Sequence, residues 1–131
     1  MRWISKGKKK KYSLKRLIKS FGYAGRGMFE AFQTEQNLLI EFVVALVAIG
    51  LGIYFKLSST EFCIVMLSIG LVIGLEFVNT SIEYTIDMAM PEIHPLAKIA
   101  KDVASSAVLF ASICSVIVGL IIYLPKFIAL F

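Results

Sequence analysis

Glu76, Asn79, Glu83 and Asp87 follow one another at steps of three, four and four residues. At about 100° per residue that spacing puts them on one stripe of an α-helix, extending about 16 Å along the axis. Three acids and an amide on one face repel one another and invite a divalent cation. Magnesium prefers carboxylate oxygens and is commonly held by one or two of them together with the phosphates of a substrate. Lys101, beyond a short polar connection, adds a cation suited to a phosphate. Phosphoryl transfer asks a protein mainly for positioning and charge neutralisation, and this set of residues offers both. Taken singly, Glu83 and Asp87 would also fit the wet end of a membrane helix; the whole ladder would not.

The elements that must hold these residues are membrane helices. A chain of 131 residues with 58% hydrophobic and only 18% charged content is too apolar for an ordinary soluble domain. Val103 to Leu124 is uncharged throughout, Phe62 to Leu75 continues through Glu76 and Asn79, and Asn37 to Phe55 carries Glu41 near its start. These runs predict an all-α membrane protein with spans at about 37–56, 62–88 and 97–124. An acid near the bilayer midplane costs roughly 2.5 to 3.5 kcal/mol on insertion scales, so Glu76 needs a partner or a task.

The formal charge of +5 comes mostly from the first 26 residues, notably Arg2, Lys6 and the run Lys8 to Lys11. By the positive-inside rule that end faces the cytoplasm, which puts the acidic ladder and the 88–101 connection on the side where nucleotides are. Residues 1–12 show no periodicity and read as a disordered tail over anionic headgroups, with no nucleic acid as partner. No apolar segment with a small-residue cleavage site follows within signal-peptide distance. Cys63 and Cys114 lie in apolar stretches without ligand spacing and read as packing residues.

Order is expected from Ser13, a candidate N-cap, with residues 13–131 forming one domain. Leu14, Leu17, Ile18 and Phe21 are spaced as the apolar face of a short interfacial helix, opposite Lys15, Arg16 and Lys19. Gly22, Gly25 and Gly27 then predict a hinge; GYAGRG matches no phosphate-loop pattern. Met28, Phe32, Glu35 and Leu39 form one stripe, with Glu35 as a carboxylate on its apolar side. That acid either reaches headgroup water or meets Glu83 across a cation. Gly70 and Gly74 would admit a neighbouring helix, and Pro91 and Pro95 bound the connection that holds His94. Ala97, Lys101, Ser105, Val108, Ser112 and Ser115 predict a small-residue packing seam on the last helix, and Lys98 can pair with Asp102 at i, i+4.

The pattern ExxNTxIExxxD, followed by HPLAKIAKD and a small-residue stretch, resembles the prokaryotic diacylglycerol kinase family. The HPLAKIAKD version and the basic start are similar to its Gram-positive, undecaprenol kinase branch. The resemblance runs from about Arg16 through the third span. It implies a homotrimer of three-span subunits, each with an amphipathic surface helix, and composite sites between subunits at the cell membrane's cytoplasmic face. It implies Glu76 as the general base and Glu35 and Glu83 as holders of Mg. Asn79 and Lys101 would contact the ATP phosphates or orient Glu76, Asp87, Arg16 and Tyr23 would close around the nucleotide, Asp102 would support Lys101, and Glu92 and His94 would lie near the adenosine. Ser105 and Ser106 stand where relatives often have Ala and Gly, which bears on helix spacing rather than on chemistry.

The function these readings imply is transfer of the γ-phosphate of ATP to a lipid alcohol, undecaprenol first and diacylglycerol second. A small proton or ion channel is the alternative from another class, since intramembrane acids also mark ion paths. It leaves Lys101, Asp87 and the proline-bounded connection without a task.

Overall fold

The computed structural model describes residues 12–131, and four helices make up nearly all of them: α1 (Leu14–Thr34), α2 (Gln36–Tyr54), α3 (Ser59–Ala89) and α4 (Pro95–Ile128). Residues 1–11, and with them almost all of the expected basic tail, lie outside the described part.

The helices begin where side chains can satisfy their free N–H groups. Ser13 Oγ accepts from the Arg16 N–H at 3.1 Å. Ser58 and Glu61 form a reciprocal capping box, with both hydrogen bonds at 3.1 Å. The fourth helix starts on Pro95, pre-set for a first helical position, with His94 Nδ1 accepting from the Leu96 N–H at 3.1 Å. Between α2 and α3 the chain turns through Lys56, whose φ of 53° is left-handed.

Helices α2, α3 and α4 are each long and apolar enough to cross a membrane. Their covered positions recur at alternating steps of three and four. On α2 these are Leu38, Glu41, Ala45, Ala48 and Gly52; on α3, Val65, Ile69, Val72, Glu76, Asn79 and Glu83; on α4, Ala97, Lys101, Ala104, Val108, Ala111 and Ser115. A mean repeat of 3.5 is the signature of helices crossing at a shallow left-handed angle. The acidic ladder therefore continues the same seam that Val65 and Val72 pack into.

At the end of the bundle away from the ladder, Tyr123 donates to the Ala48 carbonyl at 2.6 Å, Lys126 meets Glu61 at 3.1 Å, and Phe127 lies edge-on to Phe55. These contacts carry α4 through Pro125, which the sequence reading takes as the end of the span. The loss of one backbone hydrogen bond so near the C-terminus is outweighed by what the last turn gains.

Several other expectations are corrected. The 22–27 segment is not a hinge: α1 runs unbroken through Gly22, Gly25 and Gly27. The break falls at Glu35, extended at φ −110° and ψ 106°, so Met28, Phe32, Glu35 and Leu39 do not share one continuous helix. Among the described residues a Cβ at Gly70 or Gly74 would meet nothing within 4 Å, so the expected close approach of a helix there is left to a neighbouring subunit. The α4 seam runs through Ala104, leaving Ser105 and Ser106 exposed, because the observed repeat is four then three where the sequence reading took a step of four twice.

Candidate active site

Glu35 and Glu83 approach one another from different elements. Glu35 ends α1 and caps α2 with its backbone alone; its carboxylate makes no capping hydrogen bond. It sits at the positive end of the α2 dipole, which favours an anion. Burial, and after it the nearby Glu83 charge, pushes the Glu35 carboxyl above the usual carboxylate range. Among the described residues neither acid is in an ion pair.

Along α3, one turn from Glu83, Asn79 is 7% exposed, and two turns from it Glu76 is 2% exposed. Glu76 lies within charge–charge range of both Glu35 and Glu83, one turn from Asn79 on the same face of α3. The Asn79 amide nitrogen donates to Glu83 Oε1 at 3.4 Å, while Asn79 Oδ1 is sealed from solvent with no hydrogen-bond partner among the described residues. Below them Thr80, 4% exposed, donates to the Glu76 carbonyl at 2.9 Å and locks that turn.

The far end of the ladder is reached by α4. Lys101 donates to the Asp87 carboxylate across the α3–α4 connection, with Lys101 partly covered and Asp87 open to solvent. Asp102 pairs with Lys98 at 2.6 Å rather than supporting Lys101. Glu92 is exposed in the connection, and half-buried His94 spends Nδ1 on the α4 cap. Arg16 and Tyr23 are not brought to the cluster: on the continuous α1 they stand about 28 and 18 Å along the axis from Glu35.

Among the described residues no three ligating side chains gather around one point. The donors present still suit magnesium, which needs one or two carboxylates and takes its remaining ligands from phosphates and water. Two carboxylates repelling each other across a junction provide that pair. Lys101, one turn beyond, presents the charge a phosphate group would meet next.

Sequence reasoning missed one contact here and left the place of Glu41 open. Tyr84 donates to Thr34 Oγ1 at 3.0 Å and ties the end of α1 to α3. Glu41 is half-buried on the α2 seam within charge–charge range of Glu76, with Oε2 sealed and without a hydrogen-bond partner among the described residues. The heptad-like spacing of Leu38, Glu41, Ala45 and Ala48 was the signal that would have turned Glu41 inward.

A family model for prokaryotic diacylglycerol kinase matches residues 22–123, most of the chain. The chain belongs to that family. Members of the prokaryotic diacylglycerol kinase family similar to this chain include the undecaprenol kinase of Bacillus subtilis (strain 168), 43% identical over 113 residues, which are 86% of this chain and 92% of that one. The diacylglycerol kinase of Escherichia coli (strain K12) is 32% identical over 112 residues, again 86% and 92%. The diacylglycerol kinase of Helicobacter pylori (strain J99 / ATCC 700824) is 37% identical over 99 residues, 76% of this chain and 77% of its own. This prokaryotic diacylglycerol kinase family member is thus a lipid kinase and a multi-pass membrane protein. The ion-channel reading falls away with that.

Proposed function

We propose that the protein transfers the γ-phosphate of ATP, with Mg, to the hydroxyl of undecaprenol, diacylglycerol being the second candidate acceptor. The observation that carries this is the placement of a buried carboxylate, Glu76, against two further acids, Glu35 and Glu83, on the seam that leads to Lys101. The choice of acceptor leans on the 43% identity to an undecaprenol kinase.

In this reading Glu76 takes the proton of the lipid hydroxyl, and Asn79 holds the carboxylate in place. Glu35 and Glu83 would hold Mg, which supplies charge neutralisation at the phosphates. Lys101 meets the phosphates after loosening its pairing with Asp87. Asp87, Glu92, His94 and Asp102 border the nucleotide at the connection, whereas Arg16 and Tyr23, distant from the cluster within one chain, would reach it only from α1 of a neighbouring subunit. The apolar stripe Leu14, Leu17, Ile18 and Phe21 is exposed, which suits an amphipathic helix in the cytoplasmic interface.

A homotrimer with composite sites fits the exposed surface. Only 17% of the most apolar window of each spanning helix is buried within the chain. Leu67, Leu71, Gly74, Val78 and Ser81 form a second stripe of three-and-four steps on α3, open on the side away from the ladder.

The test incubates purified protein with labelled ATP, Mg and vesicles carrying undecaprenol, diacylglycerol or neither. Label should enter the organic phase with undecaprenol, and Glu76→Gln should abolish it while ATP still binds. Substantial turnover by that variant removes Glu76 from the role of base; label only with diacylglycerol reverses the acceptor.

A further inference from the structure

The last turn of α1 delivers Glu35, and a hydrogen bond beside it fixes where that turn lies. Tyr84 donates to Thr34 Oγ1 at 3.0 Å, between residues 50 apart in the chain. Thr34 in turn donates to the Glu30 carbonyl at 3.1 Å, one turn back in its own helix. A threonine hydroxyl has one proton, so with that proton given to the helix backbone the oxygen can only accept from outside. The two bonds therefore run in one direction, from α3 into the frame of α1.

Each end of this bond adjoins one of the two acids assigned to the cation. Thr34 precedes Glu35, and Tyr84 follows Glu83. One residue is about 100° of rotation on a helix, so α3 turns Glu83 to the seam and Tyr84 to α1. Around the bond, Ala31 is the buried residue of α1, and the Phe32 ring lies edge-on to Phe42 and Phe77, with centroids 5.3 and 6.1 Å away. Apolar contacts are non-directional and would tolerate a small slide of the turn along α3; a hydrogen bond weakens steeply away from its preferred angle and would not. Glu35 is extended, and its carboxylate makes no capping hydrogen bond, so the placement of its backbone decides where that carboxylate stands.

We propose that Tyr84 and Thr34 are positioning residues for the divalent cation, their hydrogen bond setting the spacing between the Glu35 and Glu83 carboxylates. This rests on the reading of those two acids given above. Magnesium demands near-ideal octahedral geometry with ligands at about 2.0 to 2.1 Å, so a small shift of one carboxylate is felt in affinity. Tyr84 is itself exposed, and water can replace its bond at little cost to the fold. The effect falls on the spacing instead. Neither residue takes part in the transfer; both act through the acid beside them.

The experiment measures retention of manganese(II) by the complete protein in vesicles without acceptor lipid, alongside the Mg dependence of turnover. The metal is presented with an ATP analogue whose γ-phosphate cannot transfer. Tyr84→Phe and Thr34→Val each remove one partner and keep the bulk; both should weaken retention about tenfold, the scale of losing a hydrogen bond that orients a metal ligand. The same factor should appear in the Mg concentration for half-maximal turnover, with kcat at saturating Mg within about threefold of wild type. Thr34→Ser keeps the hydroxyl and should restore both. Wild-type retention by Tyr84→Phe, whether or not that variant unfolds earlier, overturns the proposal, and so does a Thr34→Ser as impaired as Thr34→Val. Failure of the metal reading looks different: Glu83→Gln would then retain manganese as the wild type does.

Discussion

The Lys101 ammonium is hydrogen-bonded to the Asp87 carboxylate, fourteen residues earlier in the chain and on the neighbouring helix. The pair closes the α3–α4 connection and parks the lysine beside the acid ladder. Because Asp87 is open to solvent and Lys101 only partly covered, the pairing is worth little to the fold, on the order of 1 kcal/mol or less. Its value lies in where it holds the charge.

Lys101→Ala should therefore lower kcat/KM for ATP by about a hundredfold, the scale of losing one preorganised charge at a phosphoryl group. Thermal unfolding in detergent should barely move. A variant that unfolds early but turns over normally would make Lys101 a structural residue.

Removing the divalent cation with a chelator should stop turnover, and added Mg should restore it. Glu83→Gln should raise the Mg concentration for half-maximal activity at least about tenfold. In the metal-free protein the same substitution relieves repulsion with Glu35 and should raise stability by about 0.5 kcal/mol. An unchanged Mg requirement would place the cation elsewhere.

Gly25→Ala separates a continuous α1 from a hinged one. A Cβ there meets nothing within 4 Å, and the residue lies inside a helix. Alanine should stabilise by about 0.5 to 1 kcal/mol, measured by unfolding in detergent, with turnover kept. Lost turnover without added stability would argue that the chain bends at this glycine during the reaction.

At the opposite end, Gly52→Ala would bring its Cβ to 3.0 Å from Leu57 Cδ1 and 3.4 Å from the Tyr123 hydroxyl. Overpacking there should cost about 1 to 2 kcal/mol. Tyr123→Phe, which leaves the Ala48 carbonyl without its donor, should cost about 1 kcal/mol. Neither site touches the acid cluster, so kcat should hold where the protein stays folded.

Three long apolar helices, the Ser13 cap and the one-sided ladder were legible in the sequence because composition and helical spacing act locally. The Glu35–Glu83 approach was open as one of two readings; it depends on a chain break at Glu35 that no residue type announces. The GYAGRG segment misled because glycine weakens a helix only by propensity, and the helix here continues regardless. The Lys98–Asp102 pair was legible from its i, i+4 spacing; support of Lys101 by Asp102, implied by the resemblance, fails because adjacent residues on a helix do not face each other. Ser105 fell off the seam for a simpler reason: a packed bundle repeats every 3.5 residues, and a step of four taken twice drifts away from it.

Helix α4 is riveted to α3 twice, by Asp87 with Lys101 near one end and Glu61 with Lys126 near the other. The two pairs hold α4 in register along α3 from either end. Helix α1 is tied at its last turns, by the Tyr84–Thr34 bond and by the Phe32 ring lying edge-on to Phe42 and Phe77. The junction that carries the Glu35 carboxylate is therefore anchored on both sides, while the first turns of α1 are left to the surface around them.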